Sequence, residues 1–129
     1  MLRPALLLAL LLPAAAAPAQ EVDCAHAMAQ QEMNFCAEQE WQAADAALNA
    51  AYRVAMAVLA DAGRIGASDP PETERLKKAQ RAWIAYRDLA CESAGWAMRG
   101  GSAEPLLIYS CLARLTGERT AELRLLAME

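Results

Sequence analysis

Histidine is almost missing from this chain: His26 is the only one in 129 residues. The four cysteines form no C-x-x-C and no C-x-x-C-H pair. No zinc-ligand set and no covalent haem attachment can be built from these residues, so no metal and no cofactor is expected. A Ser/His/Asp triad would rest wholly on His26, and Ser68, Ser93, Ser102 and Ser110 have no G-x-S-x-G context. No P-loop and no G-x-G-x-x-G occurs. Nothing singles out a carboxylate pair for glycoside hydrolysis. No catalytic residue is therefore nominated, and the chain reads as a non-enzyme. Long β-branched runs and sustained apolar/polar alternation are also absent, which argues against sheet.

What is present favours helix: Ala, Leu, Glu, Arg and Gln dominate. The first nineteen residues stand apart. Met1-Leu2-Arg3, the apolar run Ala5 to Leu12 and Ala17-Pro18-Ala19 match a secretory signal peptide, predicting a mature domain over 20–129. The run is too short to span a bilayer, so no stable membrane insertion is expected after cleavage. Glu21-Val22-Asp23 precedes Cys24 where lipidation needs an apolar-small-small run. The expected location is periplasmic or secreted. In such an oxidising compartment Cys24, Cys36, Cys91 and Cys111 predict two disulfides, with three pairings open in principle.

The chain order narrows these pairings. Trp41, Asp45, Leu48, Asn49, Tyr52, Met56 and Leu59 follow helical spacing, with Asn34 as a candidate irregularity upstream. Ala62 to Thr73 is the clearest break. Asp69-Pro70-Pro71-Glu72 reads as a helix start capped by Asp69, and the second helix is expected to run to about Met98. Leu76, Gln80, Trp83, Arg87 and Cys91 share one of its faces. Arg99-Gly100-Gly101-Ser102 turns the chain, and Leu112, Leu115, Arg119, Leu123 and Leu126 mark a third stripe, weakened at Gly117. An antiparallel pair across that turn would bring Cys91 to Cys111, which leaves Cys24 for Cys36. Twelve residues of unbroken helix would separate Cys24 and Cys36 by about 18 Å. A disulfide needs Cα atoms within roughly 7 Å, so the segment before about Gln30 must fold back. The expected fold is all-α: a small disulfide-stapled helical bundle of two long antiparallel helices and a third packed across them, plus an N-terminal arm or short helix.

Asp45, Asn49, Gln80, Arg87 and Arg119 stand on otherwise apolar faces. Such a set makes either a buried ligand pocket or a polar clamp between helices. The clamp is the preferred reading, because an arginine on a core-facing stripe needs a carboxylate within reach. Asp45 is the expected counter-charge for Arg87 or Arg119. Charge is uneven along the chain. Residues 20–62 carry seven acids against Arg53 alone, whereas 63–129 carry nine acids and ten bases. The acidic half disfavours nucleic acid and suits a cationic partner, or is simply a solvated face. Glu38 and Glu40 on that half, with Trp96, Arg99 and Ser102 around the Gly-Gly turn, are the candidate partner contacts.

Several motifs together resemble one family. Cys36-Ala37, Ala44-Asp45, Leu48-Asn49 and Tyr52 resemble the "C-A … A-D-x-x-L-N-x-x-Y" signature of the LprI-type lysozyme inhibitor N-terminal domain family. Ala79-Gln80-Arg81-Ala82-Trp83-Ile84, Tyr86-Arg87-Asp88 and Cys91 resemble its "A-Q-R-A-W-I-x-[YF]-R-D-x-x-C". Gly100-Gly101-Ser102, Cys111, Leu115-Thr116, Arg119 and Leu123 are similar to its closing pattern. The resemblance covers roughly Cys24 to Leu126 and implies a small, exported, helical, disulfide-bearing protein. It also implies a specific function, non-catalytic inhibition of a basic muramidase (lysozyme). The founding type is a lipoprotein, and anchoring does not carry over. A structural or adaptor module of the envelope is the alternative, and a glycan-acting enzyme a more distant one. A blocking group would come from the loop over 62–73 or the turn over 100–104.

Overall fold

A computed structural model describes residues 21–66 and 68–128; the expected signal segment over 1–19 lies outside them. The order is α1 (Gln30–Gly63), α2 (Glu72–Ala94), a short 3-10 turn (Gly95–Met98) and α3 (Glu104–Leu126). Among the described residues there is no strand. The architecture is the all-α bundle with two disulfides, Cys24–Cys36 and Cys91–Cys111.

α1 begins where the fold-back argument requires it. Residues 21–29 form an arm, and Glu32 Oε2 accepts the backbone N–H groups of Met28 and Ala29, each at 3.3 Å. That carboxylate, in the first turn where the helix dipole favours an acid, ties the arm and the N-cap residue back to the helix. The helix runs unbroken through Asn34. The irregularity expected there does not occur, because the Asn34 amide donates outward to Ser102 O at 2.8 Å instead of competing for its own backbone.

α2 differs from expectation at both ends. It starts at Glu72 with Pro71 in the cap position, and no side chain caps it. A residue before proline is pushed out of the helical region, so the Pro70-Pro71 pair keeps Asp69 and Pro70 outside the helix. Glu72 and Glu74 then occupy the first turn, where the helix dipole favours acids. At the far end the helix stops at Ala94, and residues expected to continue it to Met98 tighten into the 3-10 turn. Gly95 sits at the junction. A Cβ there would come within 2.9 Å of Ile108 Cγ1, so a larger residue would have to push the Ile108 side chain aside for this corner to close against α3.

The helix that pairs most extensively with α1 is α3, running parallel to it, and α2 lies antiparallel to both. Three contacts mark that register. Asn34 meets Ser102, the Trp41 and Tyr109 rings stack with centroids 5.7 Å apart, and Leu48 and Ala51 share a cluster with Leu123. The apolar core is Leu48, Ala51, Ala55, Leu76 and Leu123, with Met56, Leu59, Trp83 and Leu126 packed around it. Each fully buried leucine there contributes about 1.5–3 kcal/mol. The sulfurs lie at the other end. Cys24–Cys36 holds the arm on α1 with a Cα separation of 5.6 Å, and Cys91–Cys111 ties α2 to α3 at 5.4 Å.

Candidate functional site

The polar residues of the three apolar faces meet along one seam. Arg87 is only 6% exposed. Its Nη1 donates to Asp45 Oδ1 at 3.2 Å and to Thr116 Oγ1 at 3.3 Å, and its Nε donates to Asp88 Oδ1 at 2.9 Å. The guanidinium lies 5.2 Å from the centre of the Trp83 ring, close enough for cation–π attraction. Asn49 Nδ2 donates to the second Asp45 oxygen at 3.0 Å. Of the two arginines considered for Asp45, Arg87 is the one that reaches it. Arg119 Nε donates to Gln80 Oε1 at 3.1 Å and its Nη1 to Glu122 Oε2 at 2.7 Å. Asp45 and Asn49 thus join Arg87, while Gln80 joins Arg119.

Sequence reasoning missed three members. Thr116 and Thr120 are buried on α3, and the Thr120 hydroxyl donates back to Thr116 O at 2.8 Å. Asp88 is the exposed carboxylate beside Arg87. The threonines read as surface by type. The available signal was position, since 112, 116, 120 and 123 continue a single helical stripe.

A second cluster surrounds the turn between α2 and α3. Gly100 adopts φ +77°, a conformation that glycine enters at no steric cost. Its N–H donates to Glu104 Oε2 at 2.7 Å, and Arg99 both pairs with Glu104 at 3.4 Å and donates to Glu92 O at 3.1 Å. Gly101 N–H donates to Met98 O at 2.8 Å, and Asn34 binds Ser102 O. The turn is therefore held from four sides. From it Trp96 projects, 75% exposed, beside the exposed Met98. Glu40 is exposed and lines a shallow groove with the Cys24–Cys36 bridge, Leu106 and Ser110. Glu38 is half-buried and accepts from Gln42 at 3.4 Å. Glu38, Glu40, Trp96, Arg99 and Ser102 all fall in this half of the bundle. The loop over 62–73 lies at the opposite end.

Charge divides the same way. Residues 21–45 and 87–110, the stapled half, carry nine Asp/Glu against two arginines, Arg87 and Arg99. Residues 46–86 and 111–128 carry six against nine Lys/Arg. Among the described residues no group of three or more His, Cys, Asp or Glu is disposed to hold a metal ion. Among the same residues no helix is long and apolar enough to cross a membrane. His26 is exposed on the arm, 2.8 Å from Asp23.

Known proteins bear on these features. An uncharacterised protein of Rhizobium meliloti is 51% identical over 108 residues, covering 81% of this chain and 78% of that protein. The uncharacterised Escherichia coli protein YecT is 43% identical over 60 residues, 44% of this chain and 36% of its own length. A crystal structure of a DUF1311 family protein from Pseudomonas putida superposes with a TM-score of 0.67 at 27% identity, covering 77% of this chain and 94% of that one. The family described as "Lysozyme inhibitor LprI" matches residues 23–123, which takes in both disulfides, the polar seam and the Gly-Gly turn. This chain belongs to the lysozyme inhibitor LprI family.

Proposed function

We propose that this protein is an exported, non-catalytic inhibitor that meets a basic muramidase with its stapled, acidic end. The observation that carries the reading is the coincidence of three properties there: nine acids against two arginines, an exposed Trp96, and a turn already fixed by hydrogen bonds. Separated charge of this sign steers a cationic enzyme and raises its association rate. An aromatic anchor on a pre-ordered turn loses little entropy on docking. Family membership supports the choice of enzyme class, and the two disulfides support an oxidising, extracytoplasmic location. Glu38 and Glu40 act through the field, whereas Trp96, Arg99 and Ser102 supply contact.

The test is lysis of a peptidoglycan suspension by lysozyme with the oxidised protein added. Inhibition is expected at low salt and should weaken steeply toward about 0.15 M, where screening falls to about 8 Å. Trp96→Ala should weaken inhibition at every salt concentration, and Glu40→Lys mainly at low salt. No inhibition at micromolar protein would overturn the proposal.

A further inference from the structure

The half of the bundle away from the sulfurs carries a groove of different chemistry. It lies between α1 and α2, encloses about 330 Å³, and is lined by Asn49, Tyr52, Lys77, Gln80, Arg81 and Ile84. That volume is at the small end of the range for small-molecule sites, about 300–1,000 Å³. Hydrogen-bond donors dominate the lining. Gln80 is 7% exposed, and its Oε1 is already taken by Arg119. Among the described residues its Nε2 has no acceptor, and the only sealed side-chain polar atom without a partner is Trp41 Nε1. The Gln80 amide nitrogen is therefore open to solvent, and this groove is the opening that Gln80 lines. A mostly buried amide N–H whose one remaining partner is water can exchange that water for a ligand oxygen.

The surroundings favour a negative charge. Arg81 is exposed and makes no ion pair among the described residues. The Lys77 ammonium lies 2.6 Å from Glu74, so part of its charge is spent. Asp45 is occupied by Arg87 and Asn49, and Asn49 Oδ1 remains as an acceptor. Tyr52 and Ile84 supply the apolar wall. One free guanidinium and a shared ammonium balance about one negative charge. That suits a carboxylate better than a phosphate monoester, which carries about −1.5 to −2 at neutral pH.

We propose that this groove binds a small organic monocarboxylate. Arg81 and Gln80 Nε2 take the carboxylate, Tyr52 and Ile84 cover an apolar face, and Asn49 Oδ1 accepts a hydroxyl or amide N–H. The site does not depend on the inhibitor reading, since it shares no residue with the contacts proposed at the stapled end.

The experiment is an NMR titration of ¹⁵N-labelled, oxidised protein with D-glucuronate, N-acetyl-L-alanine, D-glucose and inorganic phosphate. Saturable shifts of the Gln80 and Asn49 side-chain amides and the Arg81 Nε–H are expected with one or both carboxylates. The tighter of the two identifies a sugar or a peptide source. Arg81→Ala should weaken that binding at least about tenfold, as loss of a charge-assisted bond requires. Because Arg81 is exposed and unpaired, the remaining amide spectrum should keep its positions. The proposal fails if neither carboxylate moves these signals. It also fails if glucose or phosphate moves them as much, or if Arg81→Ala binds like the parent.

Discussion

One end of the bundle is held by sulfur and charge, the other by leucine. At the loop end Leu48, Leu76 and Leu123 converge with Ala51 and Ala55, and no crosslink is present. At the stapled end the buried apolar residues are smaller and fewer, chiefly Ala37 and Leu112 around Cys36 and Cys91. There the chain turns outward through Gly100 and leaves Trp96 in solvent. That end packs the Trp41–Tyr109 stack but leaves Trp96 outside, and covalent bridges add to its smaller core. The polar seam around Arg87 and Arg119 runs between the two.

That contrast can be broken from either side. The largest effect is expected at the apolar end. Leu123→Ala removes a side chain that is 1% exposed and should cost about 3–4 kcal/mol, lowering the melting temperature by more than about 10 °C. At the other end, Cys91→Ser with Cys111→Ser opens a bridge spanning 20 residues and should cost about 3 kcal/mol in denaturant titrations. The Cys24–Cys36 pair closes only 12 residues and orders an arm, so its removal should cost less. If opening both bridges left stability unchanged, sulfur would not be what holds that end.

Between the ends, Asp45→Asn should cost about 1 kcal/mol. Asp45 is 40% exposed and Asp88 still neutralises Arg87, so solvent screening cuts the value well below that of a sealed ion pair. An unchanged melting temperature would remove the seam from the account of stability. The smallest effect concerns Glu74. Its hydrogen bond to Lys77, reinforced by the Lys77 charge, holds this carboxyl below the ordinary glutamate value. A depressed folded-state pKa gives stability that is present above the unfolded value and lost as pH falls through the folded one. Glu74→Gln should therefore leave neutral melting nearly unchanged and flatten the acid side slightly, below about pH 4. Thermal melts of both proteins from pH 3 to 7 would show it.

Much of the fold was legible because its signals are local. Proline and glycine mark the loop, helical periodicity marks the stripes, and the geometry of a helix forbids Cys24 and Cys36 from pairing without a fold-back. The start of α2 was misplaced because capping rules favour Asp69, while the tandem prolines act more strongly on the backbone. The partnership of α1 with α3 was not legible, since it depends on how helices remote in sequence share a groove. In the seam, sequence spacing could point to Asp45 and Arg87 but not to Thr116 or Thr120. Those hydroxyls stay satisfied in the interior because Thr116 Oγ1 accepts from Arg87 and the Thr120 hydroxyl donates to Thr116 O. The carboxylate groove was foreshadowed only by the choice between pocket and clamp. Whether a Gln80 amide is spent or spare depends on which of its atoms Arg119 engages.

The order of the sulfurs also bears on biosynthesis. Cys24 bonds Cys36 and Cys91 bonds Cys111, so each cysteine joins its immediate neighbour along the chain. A polypeptide threaded N-terminus first into an oxidising space would present these partners in the sequence in which they belong. A simple oxidant acting as thiols emerge would then leave the correct product, with no mispaired species for an isomerase to undo.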